Sequence, residues 1–229
     1  THRILQSDIE LPNLGLLIID EEHKFGVAQK ERLKKSRTNI DVLSLSATPI
    51  PRTLNMSLSG IRDLSLIETP PHNRQLIQTF VGSDSDGLIK EAIDREMERN
   101  GQIFIINNKI GNIELIASRI KSLAPKATIE IGHGQMNKNE LERVMHKFIN
   151  NETQILISTT IIESGIDIQN ANTIIILDAD KFGVAELYQL RGRVGRSSTK
   201  AYAYLLVSSE TALRDNAKKK LNICKSLDD

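Results

Sequence analysis

Short apolar runs, spread along the chain and separated by stretches of helical periodicity, constrain this sequence more than any other feature. They cover residues 14–20, 42–46, 76–81, 102–107, 128–132, 154–159, 173–177 and 201–207. Several carry Ile or Val at consecutive positions, as in Ile103-Phe-Ile-Ile106 and Ile174-Ile-Ile-Leu177, and are therefore apolar on both faces. A strand wetted on one side alternates with period two, whereas one covered on both sides reads as a continuous apolar run, the mark of a parallel sheet between helix layers. The clearest helix is predicted over 137–150. There Leu141, Val144, Met145 and Phe148 share one face, and Asn137 with Glu140 three residues on offers a capping arrangement. The alternation predicts an α/β architecture of mostly parallel sheets flanked by helices.

The paired prolines in Glu68-Thr-Pro-Pro-His-Asn-Arg74 suit a semi-rigid linker and neither a helix interior nor a central strand. They divide the 229 residues into a first domain over 1–68, a linker over 69–75, a second domain over 76–208 and a terminal helix over 209–229. The first part holds too few strands to close a sheet core. It is therefore expected to be the C-terminal part of a domain, and the initial Thr agrees with a piece of something longer. Hydrophobic residues at 39% and charged residues at 26% exclude a disordered chain. No apolar run approaches the roughly 18 residues of a membrane span, and the N-terminus has no signal-peptide shape. A single cysteine, Cys224, excludes an internal disulfide and a Cys-rich zinc site, which points to the cytoplasm. With a net charge of +1, contact with nucleic acid must come from local patches. The five histidines show no metal-ligand spacing, and a 3% aromatic content without Trp argues against stacking on single-stranded bases.

Four segments carry candidate chemistry, three of them directly after apolar runs. Asp20-Glu21-Glu22-His23 sets three carboxylates and an imidazole at a strand end, where ligands of open α/β sheets sit. An Asp there can hold Mg²⁺ through water and a neighbouring Glu can deprotonate an attacking water. Ser46-Ala-Thr48-Pro-Ile-Pro offers hydroxyls for a phosphate or water network. Ser158-Thr159-Thr160-Ile-Ile-Glu-Ser-Gly165-Ile-Asp167 offers hydroxyls, a glycine and a carboxylate at a strand-to-helix turn. Taken singly, these read equally as a solvated acidic turn, a Pro-started helix with its cap, and a capped turn. The fourth, Gln189-Leu-Arg191-Gly-Arg193-Val-Gly-Arg196, packs three arginines and two glycines into six positions, poor material for a helix but well matched to an anion such as a γ-phosphate.

In this order, split by a linker, the four segments resemble motifs II, III, V and VI of superfamily 2 helicases and translocases. More closely, Asp20-Glu-Glu-His-Lys-Phe-Gly-Val27, Ala47-Thr-Pro-Ile-Pro-Arg-Thr-Leu-Asn-Met56, Gly60-Ile-Arg-Asp-Leu-Ser65, Gly132-His-Gly-Gln-Met136 and Thr159-Thr-Ile-Ile-Glu-Ser-Gly-Ile-Asp-Ile168 are similar to the bacterial transcription-repair coupling factors. That resemblance implies a RecA-like helicase core, with part of a first motor domain and a second motor domain, using ATP and Mg²⁺ in the cleft between them. It implies a double-stranded-DNA translocase that displaces stalled RNA polymerase and couples transcription to nucleotide excision repair. The polymerase and the excision-repair damage sensor would bind regions outside this chain, and no membrane is involved.

By the same resemblance Asp20 and Glu21 bind the metal and activate water, and Glu22 and His23 couple the nucleotide to the partner domain. Ser46 and Thr48 relay nucleotide state to DNA. Thr159, Thr160, Gly165 and Asp167 face phosphate, ribose or DNA backbone, and His133 sits in a turn that approaches DNA. Arg193 and Arg196 match the arginine fingers and Gln189 the opening of their motif; Arg191 occupies no finger position and is expected to pair elsewhere, with a carboxylate as its natural partner. The 229 residues contain no Gly-x-x-x-x-Gly-Lys-[Ser/Thr] loop, so the isolated piece is expected to be inactive. The branch-migration helicases that rescue stalled forks share the Phe-Gly-Val and Thr-Pro-Ile-Pro-Arg-Thr stretches and form the alternative. A piece that only binds DNA without catalysis is the other.

Overall fold

The runs that are apolar on both faces form one parallel sheet, because each can bury both rows of side chains only between two helix layers. The computed structural model describes residues 13–20, 40–46, 65, 67, 76–159, 168–208 and 221, and the chain divides into two units, Thr1–Glu68 and Thr69–Asp229. The second unit runs β3 (Ile77–Ser83), α1 (Asp86–Glu98), β4 (Gln102–Ile106), α2 (Ile113–Leu123), β5 (Ile129–Gly132), α3 (Lys138–Ile149), β6 (Ile155–Ser158), β7 (Ala171–Ile176), α4 (Val184–Arg191) and β8 (Ala201–Val207). Its strands lie in the order β3-β8-β7-β4-β6-β5, each parallel to its neighbours.

Alternate residues of the central strands feed two cores. Phe104, Ile106, Leu156, Ile174 and Ile176 meet Val144, Met145 and Phe148 of α3 and Leu187 and Leu190 of α4. Ile103, Ile105, Ile155, Ile157 and Ile175 meet α1 and α2 on the other face. Phe148 is fully buried with its ring 5.0 Å from that of Phe104. Helix α3 begins as its sequence predicts, the Asn137 side chain accepting from the Glu140 N–H at 2.9 Å. Strand β7 begins at Ala171, two residues before the apolar run. Asn172 is admitted because its amide donates to the Asn170 carbonyl while its oxygen accepts from Ser197.

Two polar clusters, one at the surface and one buried, accompany this apolar packing. Arg119 of α2 donates to Asp84 at 2.8 Å and Asp86 at 2.7 Å, and the Asp84 hydrogen bond foremost holds its guanidinium above the ordinary range. Glu96 of α1 is fully buried, accepting from Arg99 Nε at 3.0 Å and also from Arg99 Nη2 and the Thr173 hydroxyl. No described helix is long and apolar enough to cross a membrane.

In the first unit β1 (Leu16–Asp20) pairs in parallel with β2 (Asp41–Leu45). Ile19 is buried, while Leu16, Ile18, Leu43 and Leu45 are exposed. The linker expected over 69–75 lies outside the described residues. So does the helix expected over 209–229, except Leu221, which is helical and buried in the core of the second unit.

Candidate functional site

Parallel strands joined by right-handed crossovers bring their carboxyl ends to one edge of the sheet. In the second unit that edge collects Asn107, Asn108 and Lys109 after β4, His133 after β5, Ser158 and Thr159 at the end of β6, Asp178 after β7 and Ser208 after β8. Neighbouring strands β4 and β7 lead to helices on opposite faces, α2 and α4, which opens a crevice between their loops.

Four buried polar atoms along this edge have no hydrogen-bond partner among the described residues: Asn108 Oδ1, His133 Nδ1, Ser158 Oγ and Thr159 Oγ1. Ser158 is 1% exposed and Thr159 4%. Each unpartnered buried group costs about 1–3 kcal/mol, so each of them calls for a partner beyond the described residues. His133 is held by its own turn, its carbonyl accepting from the Met136 N–H at 3.0 Å. Asp178 adopts a left-handed backbone, φ 52° and ψ 41°. Burial opposes its ionisation, but hydrogen bonds from Lys181 and Ser208 with the charges of Lys181 and Lys109 outweigh that and lower its pKa.

The arginine run is built differently. Helix α4 ends at Arg191, Gly192 caps it, and Gly195 takes φ 74°, a conformation glycine enters without strain. Gly195 lies against Ile77 and Ala201, the first residues of β3 and β8, so this turn sits at the amino edge of the sheet, opposite His133 and Thr159. Arg191 is buried, with its guanidinium 5.2 Å from the Tyr188 ring centre and Nη1 3.5 Å from the Thr79 hydroxyl. Arg193 and Gln189 are half-buried and Arg196 is exposed, its Nε donating to the Gly192 carbonyl at 3.4 Å.

In the first unit Asp20 is the exposed last residue of β1. It pairs with Leu45 of β2, so Ser46 stands one residue further on at the same end. Glu21, Glu22, His23, Thr48, Thr160, Gly165 and Asp167 lie outside the described residues. His133 and Thr159 are recognisable from their motifs, and Ser158 opens the same hydroxyl motif without a role of its own; Asn108, which follows an apolar run, is brought to them only by the fold. Among the described residues no group of three His, Cys, Asp or Glu side chains is placed to hold a metal ion.

The helicase conserved C-terminal domain matches residues 85–198. The whole chain is 54% identical over 229 residues to a transcription-repair-coupling factor of Escherichia coli and 53% identical over 228 residues to that of Haemophilus influenzae. It spans about a fifth of the length of these curated relatives. A structure of RecG bound to a three-way DNA junction superposes with a TM-score of 0.75 at 33% identity, over 99% of this chain and 31% of that one.

Proposed function

We propose, from the match of residues 85–198 to the helicase conserved C-terminal domain, that the chain is part of an ATP-dependent double-stranded-DNA translocase that displaces stalled RNA polymerase and couples transcription to excision repair. The observation that carries the DNA part is the row of unpartnered polar atoms at the carboxyl edge. Hydroxyls, an amide and an imidazole can hydrogen-bond phosphate and sugar, the sequence-independent contacts that a motor tracking any duplex requires. The end-to-end identity of 53–54% favours the coupling factors, since the RecG structure is only 33% identical.

In this reading Asp20 holds Mg²⁺ through water and Glu21 takes the proton of the attacking water. Arg193 and Arg196 stabilise the charge that spreads over the transferring γ-phosphoryl, and Gln189 opens their motif. Bound ATP supplies the free energy for each step; the protein supplies position and electrostatics. Ser46, Thr48, Glu22 and His23 link nucleotide state to the rest of the motor. Thr159, Thr160, Gly165, Asp167 and His133, joined by Asn108 and Ser158, contact the DNA backbone or the nucleotide.

The test uses the full-length protein that contains this chain. Arg196→Ala is expected to lower DNA-stimulated ATP turnover by about 10³-fold or more while ATP affinity stays within a few fold. Glu21→Gln should stop turnover and prolong DNA binding. A wild-type protein that neither hydrolyses ATP with duplex DNA nor releases a stalled polymerase would overturn the proposal.

A further inference from the structure

The three arginines of the run are not equivalent. Arg196 is exposed and Arg193 half-buried, whereas Arg191 is buried under the sheet's first strand. The turn that carries them is fastened at three points. Before it, Arg191 reaches from the last residue of α4 to the Thr79 hydroxyl of β3, its guanidinium lying over the Tyr188 ring. In its middle, Gly195 rests on Ile77 and Ala201 so closely that an added Cβ would stand 2.9 Å from Ile77 Cγ1. After it, Ser197 Oγ donates to Asn172 Oδ1 of β7 at 3.1 Å. Between these points the backbone folds back on itself, with Arg193 N–H donating to the Leu190 carbonyl and Val194 N–H to that of Arg191.

We infer that Arg191 is a positioning residue, the anchor that sets the turn bearing Arg193 and Arg196 against the strand by which the chain enters the second unit. The inference rests on the proposed roles of Arg193 and Arg196. A guanidinium suits the anchor because it can stack on an aromatic ring and donate in its plane at the same time; an ammonium cannot do both with one geometry. A side chain at the C-terminal residue of a helix also places its positive charge against the helix's own carbonyl end. Loosening the anchor leaves both outer arginines in place chemically but misaligns them, and a misplacement near 1 Å is worth on the order of 10²-fold in rate.

Arg191→Lys and the near-isosteric Thr79→Val, each made in the full-length protein, test this with two readouts. The first is steady-state DNA-stimulated ATPase. Both variants are expected to lower kcat by about 10- to 100-fold with the KM for ATP within twofold and the thermal midpoint close to wild type. The second is amide hydrogen exchange of the protein without nucleotide, where residues 192–197 should exchange faster in both variants while β4, β6 and β7 keep their protection. Unchanged exchange over 192–197 would overturn the inference whatever the ATPase result. Unchanged kcat in both variants, with Arg196→Ala inactive, would overturn it and leave the proposed function standing. Loss of protection throughout the sheet would reduce Arg191 to a residue of the core and overturn it as well. A wild type without ATPase fails the functional reading separately, and the exchange measurement still decides the anchor.

Discussion

Gly101→Ala is a sharp test of the packing because one added carbon meets a group that cannot step aside. The Cβ would stand 1.7 Å from Glu96 Oε1 and 2.7 Å from Glu96 Cδ. Gly101 has no positive φ, so the backbone itself tolerates alanine. Glu96 is fully buried and holds Arg99 and the Thr173 hydroxyl, so moving it leaves a buried carboxylate without its cation and strands a buried hydroxyl. Breaking such a pair costs about 3–5 kcal/mol. Against a stability of about 5–15 kcal/mol this is a large share, equivalent to a fall of roughly 6–20 °C in Tm for a unit of this size. Urea unfolding followed by circular dichroism measures it. Glu96→Ala removes the atoms with which the new methyl collides, so the double variant should recover more than about 1.5 kcal/mol relative to additivity. A Gly101→Ala protein within about 1 kcal/mol of wild type, or strict additivity in the cycle, would refute the reasoning.

Three further outcomes are expected. Phe148→Ala should destabilise the second unit by about 3–5 kcal/mol in the same assay, since it empties the contact with Phe104 at the centre of one core. Asp178 has a lowered pKa, so its stabilisation is full above the ordinary carboxylate range and is lost as pH falls through the folded-state value. Asp178→Asn, which tolerates the same left-handed backbone, should therefore be less stable than wild type by about 1 kcal/mol at neutral pH and equal to it in strong acid. A polypeptide of these 229 residues alone should show no DNA-stimulated ATP hydrolysis by phosphate release, because it holds no phosphate-cradling Gly-Lys loop.

What the sequence reveals and what it hides follow one physical rule. Positions whose environment is set by burial on both faces announce themselves, which is why Ile103–Ile106 and Ile174–Ile176 read as strands and the cap at Asn137 reads as a helix start. Positions whose environment is set by a distant partner do not. Glu96 falls on the buried face of α1 with Ile89, Ala92 and Ile93, yet a lone Glu reads as solvated until Arg99 and Thr173 surround it. The motif sets Arg191 apart from the finger positions and suggests a carboxylate partner, but it cannot show that the Thr79 hydroxyl of β3, more than a hundred residues away in the chain, lies beside it. The motifs mark His133 and Thr159, but Asn108 joins them only because the strand order sets β4 beside β6.

That strand order also dictates a sequence of events during synthesis. The edge strand β3 is the first of its sheet to leave the ribosome, and its whole length pairs with the last, Ile77 with Ala201 through Ser83 with Val207. About 120 residues separate the partners, which at 5–20 residues per second leaves β3 without its neighbour for roughly 6–25 s while the middle of the sheet can already assemble. Phe80, still exposed in the finished fold beside Tyr202 and Tyr204, is bare throughout that interval. The seat of the arginine turn on Ile77 and Ala201 cannot exist before these strands meet, so the geometry of Arg193 and Arg196 waits for β8, and a newborn chain holds part of a sheet before it holds a working turn.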